Sequence, residues 1–237
     1  MTVDVARRAI GLVDLTSLTG DEDDAALDAL CARAVTPAGP VAAVCVYGEK
    51  VARVRSQLAP GTIRIAAVAN FPEGTDDPGR ARRDSATAVQ AGADEVDVVL
   101  PWQAWLNGEH AAALAVIEAA RSEAPVLKVI LETGALVDPA IIAAASRAAL
   151  QAGADFIKTS TGKRSPGATT EAALPMLEAI RDHGSGGFKA SGGVRTTLQA
   201  AEYLAMADGL LGVGWATPET FRIGASTLLD DLLESLT

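Results

Sequence analysis

Cysteine and histidine are both scarce, with two of each in a chain of 237 residues. Cys31 and Cys45 are too few for a disulfide framework, and a reducing compartment is expected. His110 and His183 belong to no ligand-spaced cluster with Cys, Asp or Glu, so no metal site is expected. No run of about 18 uninterrupted apolar residues occurs, which argues against a transmembrane helix. The opening segment, Met1–Arg8, lacks the basic-then-apolar order of a secretory signal. Basic residues are also in deficit: 20 Lys and Arg face 30 Asp and Glu, for a formal net charge of −10. That balance excludes a general affinity for nucleic acid or an anionic membrane surface. An anionic small-molecule substrate would therefore need a local basic pocket. Finally, no Pro/Gly/Ser-rich linker or composition shift divides the sequence. Residues 1–237 read as one soluble, cytoplasmic domain.

What is present is a regular alternation. Hydrophobic residues make up 49% and charged residues 21%, an ordinary globular balance. Short β-branched runs recur at Gly11–Leu15, Val41–Tyr47, Ile63–Ala69, Glu95–Leu100, Leu127–Glu132, Phe156–Ser160, Gly187–Ser191 and Phe221–Ala225. Between them lie Ala-rich segments long enough for helices, such as Asp138–Ala152 and Thr169–His183. Strands alternating with helices imply parallel βαβ units, and eight of them match a single-domain α/β fold of the TIM (β/α)8-barrel type. A doubly wound open sheet is the alternative that periodicity leaves open. Asp208–Gly214 also reads as a strand and competes with Phe221–Ala225 for the eighth place.

An internal repeat sets relative heights. Gln90-Ala91-Gly92-Ala93-Asp94 precedes Glu95-Val96-Asp97, and Gln151-Ala152-Gly153-Ala154-Asp155 precedes Phe156-Ile157-Lys158. Each Gly falls where a left-handed helix cap is expected, and each Asp leads into a strand. The register makes Asp97 and Lys158 equivalent, on strands four and six, which feed one interior layer of a barrel. Recurring βα architecture alone would also produce such a repeat.

Parallel strands buried on both faces normally read as unbroken Val/Ile/Leu runs. Four adjacent strands break that rule, at Asp97, Lys128, Lys158 and Lys189. With a side-chain period of two, these charges point into the barrel while their neighbours face the helices. Buried charges require mutual compensation or a function. A structural ion-pair network is one reading. The other is amine catalysis, because a lysine attacks a carbonyl only when neutral. At a pKa of ~10.4, about one lysine in 2,500 is neutral at pH 7. A second ammonium nearby and partial desolvation both lower that pKa. Lys158 and Lys189 form such a pair on neighbouring strands, and Asp97 can move protons. Three lysines against one visible carboxylate also leave the site cationic.

Three segments that follow strands carry the glycines and hydroxyls that phosphate binding uses. They are Ser160-Thr161-Gly162-Lys163, Gly192-Gly193-Val194-Arg195 and Gly224-Ala225-Ser226-Thr227. The last two match the place where barrels of this kind often hold phosphate. Gly184-Ser185-Gly186-Gly187 follows a helix and precedes a strand, so it reads as a turn and not as a dinucleotide fingerprint. Asp21-Glu22-Asp23-Asp24 reads as a solvated helix start. Cys45 reads as a small core residue that could border the site from strand two.

These residues resemble the deoxyribose-phosphate aldolase family. The matching motifs run in family order across nearly the whole chain: Val13-Asp14-Leu15-Thr16, Gly92–Val99, Leu127–Gly134, Asp155–Gly162, Phe188–Arg195 and Arg222–Ser226. The resemblance implies a Schiff base at Lys158, a pKa-lowering Lys189 and proton transfer by Asp97. It implies substrate contacts from Lys128, Thr161, Gly162, Lys163, Gly192, Gly193, Ser226, Thr227, Thr16 and Cys45. The implied reaction is reversible cleavage of 2-deoxy-D-ribose 5-phosphate, a phosphosugar, to acetaldehyde and D-glyceraldehyde 3-phosphate, with no cofactor. The resemblance is compatible with a homodimer. Gly48 stands where the family often has Pro, and Thr227 where it often has Ser. The sequence ends at Ser235-Leu236-Thr237, whereas some members carry a tail ending in a proton-relaying Tyr, so the relay is left open. Two rivals are another Schiff-base barrel aldolase, without both lysine motifs, and a non-catalytic phosphosugar-binding barrel, with no need of paired lysines.

Overall fold

The computed structural model describes residues 2–59 and 61–237; Met1 and Pro60 lie outside them. Eight parallel strands close into a barrel: β1 (Val13–Thr16), β2 (Ala43–Tyr47), β3 (Arg64–Ala69), β4 (Glu95–Val99), β5 (Val126–Ile130), β6 (Phe156–Lys158), β7 (Gly187–Ser191) and β8 (Phe221–Ala225). Each pairs with its neighbours in sequence, and β8 returns to β1 through Val13↔Ile223, Asp14↔Gly224 and Leu15↔Ala225. The open-sheet alternative is thereby excluded. Among the described residues, no helix is long and apolar enough to cross a membrane.

The eight anticipated runs are the eight strands, with ends shifted by up to two residues. Phe221–Ala225, and not Asp208–Gly214, takes the eighth place. Residues 208–211 complete the helix Thr197–Leu211, and Asp208 is held by Arg8 of the N-terminal helix at 2.6 Å. A two-stranded ribbon, Val35–Thr36 with Gly39–Pro40, lies outside the barrel and had no periodic signature to announce it.

Helix starts follow local chemistry. Asp77 and Asp138 cap helices Pro78–Gln90 and Pro139–Gln151, each with proline in the first turn, where its missing N–H costs nothing. Thr196 and Gln199 form a reciprocal capping box on Thr197–Leu211. The hydrophobic core is the annulus between helices and the outward faces of the strands. There Phe188, flanked by Phe221 at 5.7 Å and Tyr203 at 6.3 Å, is fully buried.

The internal repeat has a structural explanation at the N-terminal end of the barrel. Gly92 and Gly153 both adopt positive φ (+107° and +94°) after their helices. Asp94 then accepts the backbone N–H of Ile65 at 2.8 Å, and Asp155 that of Leu127 at 2.7 Å. Each carboxylate also holds an arginine, Arg55 or Arg121, which in turn binds the carbonyl of its repeat glycine. The repeat is a pair of staples joining consecutive strands at the face opposite the barrel mouth. Contacts at that face serve the stability of the barrel, since chemistry in such barrels belongs to the opposite end. Asp94→Ala and Asp155→Ala should each cost about 1–2 kcal/mol in urea unfolding, the scale of a charge-assisted hydrogen bond that is partly exposed. The catalytic constants of the folded variants should stay unchanged.

Candidate active site

The barrel interior is a layer of charge in an apolar shell. Side chains alternate along each strand, so Asp14 on β1, Glu95 and Asp97 on β4, Lys128 on β5, Lys158 on β6, Lys189 on β7 and Arg222 on β8 all turn inward. All seven are buried. Asp97 is the hub: Oδ1 accepts from Lys128 Nζ at 2.8 Å, and Oδ2 from Lys158 Nζ at 2.8 Å and Lys189 Nζ at 2.7 Å. Lys128 also meets Glu95 at 2.5 Å, and Lys189 meets Asp14. Arg222 bridges Asp14 Oδ1 at 2.7 Å and Glu95 Oε1 at 2.7 Å.

The three predicted catalytic side chains are thus in direct contact, and Lys128 joins them. Asp97 and Lys158 stand level, as the repeat implies, with Lys128 and Lys189 about one residue lower. The ladder pairs Asp97 with Lys128, and Lys158 with Lys189, whereas Lys128 pairs with Phe156. Because the strands tilt, a constant height gains about one residue per strand along this ladder. Lys158, on the second strand after Asp97 and just beyond Phe156, therefore returns to the level of Asp97, and the ammonium groups meet there. The site is cationic as expected, but by a smaller excess. Asp14, Glu95 and Arg222 also face inward, so four cations meet three carboxylates. The missed three carry the same signal as the others, a charge inside a buried strand. They stand closer to the strand ends, where a charge is easily read as solvated.

Burial and partners act differently on each group. Burial acts first on Lys158, pulling its pKa below the ordinary lysine value; the Lys189 ammonium adds to this and Asp97 opposes it. For Lys189, burial also lowers the pKa, but Asp14 and Asp97 outweigh it and hold the ammonium well above its ordinary range. Lys128 is raised in the same way by Asp97 and Glu95 against burial. Asp97, penalised by burial, is nonetheless held well below the usual carboxylate range by the three lysines. One amine of the three therefore leans towards its neutral form.

Above this layer, at the C-terminal ends of the strands, opens a cavity of about 300 Å³. Thr16, Thr161, Gly162, Lys163, Gly192, Gly193, Ser226 and Thr227, all expected at the substrate, line it. Arg195, the last residue of one of the expected phosphate segments, lines it too, as does Ser17, which no expectation covered. Its described lining has two bases, Lys163 and Arg195, and no acid. Thr16, Ser191 and Gly224 stand one pleat above Asp14, Lys189 and Arg222 on the same strands, so the cavity floor lies over the charged layer. Asp97, Lys158, Lys189, Lys128 and Cys45 lie beneath the cavity and are not among its lining residues. Lys128 is tied down between Asp97 and Glu95, and the Cys45 thiol is fully buried, with burial pushing its pKa up.

The loops that shape the cavity are held by buried polar contacts. Glu132, after β5, is fully buried at φ +56° and accepts from Thr161 Oγ1 at 2.6 Å and Thr161 N at 3.3 Å. Thr159 Oγ1 bonds both the carbonyl and the N–H of Ser191, tying the β6 loop to β7. Gly167 packs so closely on Gly192 that a Cβ would fall 2.3 Å from the Gly192 carbonyl oxygen. Lys163 reaches across the mouth to the Leu18 carbonyl at 2.5 Å. Glu22, read as part of a solvated acidic run, is instead buried. It folds onto Ser17 Oγ and the N–H groups of Thr19 and Gly20, which hold its pKa down at about 2 against the opposing effect of burial. The three donors of the tight loop and the carboxylate satisfy one another, which lets the charged group leave the solvent. Asp23 of the same run does cap the following helix.

Known proteins share this framework. A protein of Toxoplasma gondii ME49 carrying the provisional name deoxyribose-phosphate aldolase superposes with a TM-score of 0.90 at 25% identity, over 99% of this chain and 96% of that one. One from Coccidioides immitis with the same provisional name gives 0.83 at 29% identity, over 98% and 86%. The deoxyribose phosphate aldolase of Aeropyrum pernix shares the fold, with a TM-score of 0.77 at 24% identity over 99% and 92%. Residues 8–233 match the model of the DeoC/LacD family aldolases. The chain belongs to that family of aldolases.

Proposed function

We propose that the chain is a class I aldolase that reversibly cleaves 2-deoxy-D-ribose 5-phosphate to D-glyceraldehyde 3-phosphate and acetaldehyde, with Lys158 as the Schiff-base lysine. The observation that carries this reading is the inequality among the three buried lysines: Lys158 contacts one carboxylate where Lys128 and Lys189 contact two or more, in keeping with a lowered pKa for Lys158 alone, and its strand runs on into the Thr161–Lys163 wall of the cavity. The names of the similar structures from Toxoplasma gondii and Coccidioides immitis support the choice of substrate.

The chemistry follows from the contacts. The neutral Lys158 amine adds to the aldehyde carbon C1 of the open-chain sugar, giving a carbinolamine that loses water to form an iminium. A base removes the proton from the C3 hydroxyl, the C2–C3 bond breaks, and its electron pair moves towards the iminium to leave an enamine. The three-carbon phosphate departs as glyceraldehyde 3-phosphate. The enamine takes a proton at C2, and water releases acetaldehyde and the free lysine. Asp97, within 2.8 Å of Lys158, is the group placed to pass protons through these steps, and Lys189 keeps it ionised between turnovers. At the other end of the substrate, Lys163, Ser226, Thr227 and the N–H groups of Gly162, Gly192 and Gly193 would surround the phosphate. The reaction needs no organic cofactor, because the iminium itself serves as the electron sink. Breakdown of deoxyribonucleoside-derived sugar in the cytoplasm is the setting we infer for this activity, with a homodimer as the inferred assembly.

Two measurements test the reading. Borohydride added during turnover of deoxyribose 5-phosphate should leave a reduced adduct on the Lys158 peptide in mass spectrometry, and Lys158→Ala should lose at least about three orders of magnitude in kcat. An active enzyme with unmodified Lys158 would contradict it. Separately, Lys163→Ala should raise KM for deoxyribose 5-phosphate about tenfold or more, the scale of one charge-assisted contact, while leaving the much weaker use of unphosphorylated 2-deoxyribose unchanged. Equal losses for both sugars would remove Lys163 from the phosphate site.

A further inference from the structure

The buried charges form a closed circuit. Starting at Asp97, contacts pass to Lys128 (2.8 Å), Glu95 (2.5 Å), Arg222 (2.7 Å), Asp14 (2.7 Å) and Lys189, then back to Asp97 (2.7 Å). Six groups alternate in sign around it, three cations and three carboxylates, so the ring is formally neutral. Lys158 is outside the ring and attached to it through Asp97 alone. Among the described contacts, Lys128, Lys189 and Arg222 each touch two carboxylates or more, whereas Lys158 touches one.

We propose that Arg222 and Glu95, neither of which lines the cavity, are positioning residues that set the proton affinity of Lys158 by closing this neutral ring beneath it. The proposal rests on the reading of Lys158 as the reactive amine and explains how that amine is selected. With the ring balanced, a protonated Lys158 would be the one uncompensated charge in a dry interior, so the proton is most easily shed there. Arg222 suits the anchoring role because a guanidinium does not deprotonate in proteins and its planar fork spans two carboxylates. Its position is fixed further by the ring of Phe156, whose centroid is 5.6 Å from the guanidinium carbon, and by the Pro218 carbonyl. Gly187 leaves room for that aromatic ring, since a Cβ there would lie 2.4 Å from it. The charged and titratable groups acting on Lys158 from other strands of the barrel are Asp97 on β4, Lys189 on β7 and the Cys45 thiol on β2. Arg222 and Glu95 act through the first two.

The ring makes a prediction of sign. Arg222→Met leaves the ring with an excess carboxylate and should favour protonated Lys158. Glu95→Gln leaves an excess cation and should favour neutral Lys158. The double variant is neutral again. The experiment is competitive labelling of the folded protein with acetic anhydride across pH, reading the Lys158 peptide by mass spectrometry, so that no substrate or turnover is involved. The labelling midpoint should move up for Arg222→Met and down for Glu95→Gln, each on the order of one pH unit, and return close to the native value in the double variant. Shifts of the same sign in both single variants, or none in either, would overturn the proposal. If Arg222→Met does not fold, Glu95→Gln and the charge-conserving Arg222→Lys decide it: a downward shift in the first and a native midpoint in the second are required. Because labelling reports the amine and borohydride trapping reports the reaction, failure of the ring and failure of the aldolase reading give different results.

Discussion

The carboxylate of Asp97 is the contact on which the interior depends. Three ammonium groups approach it within 2.8 Å inside a closed barrel, where none of the three is more than 2% exposed. Without it, the lysines would repel one another in a medium that screens poorly, and each would carry an uncompensated desolvation cost of several kcal/mol. With it, their long side chains from three different strands meet at one point. The same carboxylate couples any change in charge at one lysine to the other two.

That coupling allows chemically identical residues to have unequal roles. Lys128 and Lys189 each sit between two carboxylates and are held protonated; Lys158 has one partner and leans towards neutrality. Position within the charge network, more than burial, separates them, since all three are buried to nearly the same degree. The cavity lies over this layer and not within it, so the floor can stay dry and rigid while the walls are built from loops. Those loops gain their rigidity from buried polar contacts of their own. Glu132, in a left-handed backbone conformation uncommon for a residue with a side chain, holds Thr161; the Thr159 hydroxyl ties together the loops after β6 and β7. The two ends of the barrel thus divide the work. The staples at Asp94 and Asp155 serve the framework, and the opposite face carries the chemistry.

Much of this was legible in the chain. The eight β-branched runs are the eight strands, because a strand buried on both faces must be apolar and short. Asp97, Lys128, Lys158 and Lys189 were visible because charges interrupt those runs near their middles. Asp14, Glu95 and Arg222 carry the same signal but lie nearer the strand ends, where the barrel's tilt decides whether a residue faces the interior or the rim. Glu22 was misread for a related reason: an acidic run at a helix start is usually solvated, and only the tight turn at residues 17–20 supplies the donors that draw one carboxylate inside.

The sequence by itself determined the alternation of strands and helices, the caps that start the helices, the inward-facing lysines and the loops that line the cavity. Each of these is set by local pattern, where a period of two or a proline after an aspartate has one physical reading. Closure of the sheet was decided only by the tertiary structure, because it depends on β8 reaching β1 across more than 200 residues of chain. Which lysine is the odd one out was decided there too. Charge balance in a dry interior depends on how many carboxylates each ammonium touches, and those contacts come from strands that lie far apart in the sequence.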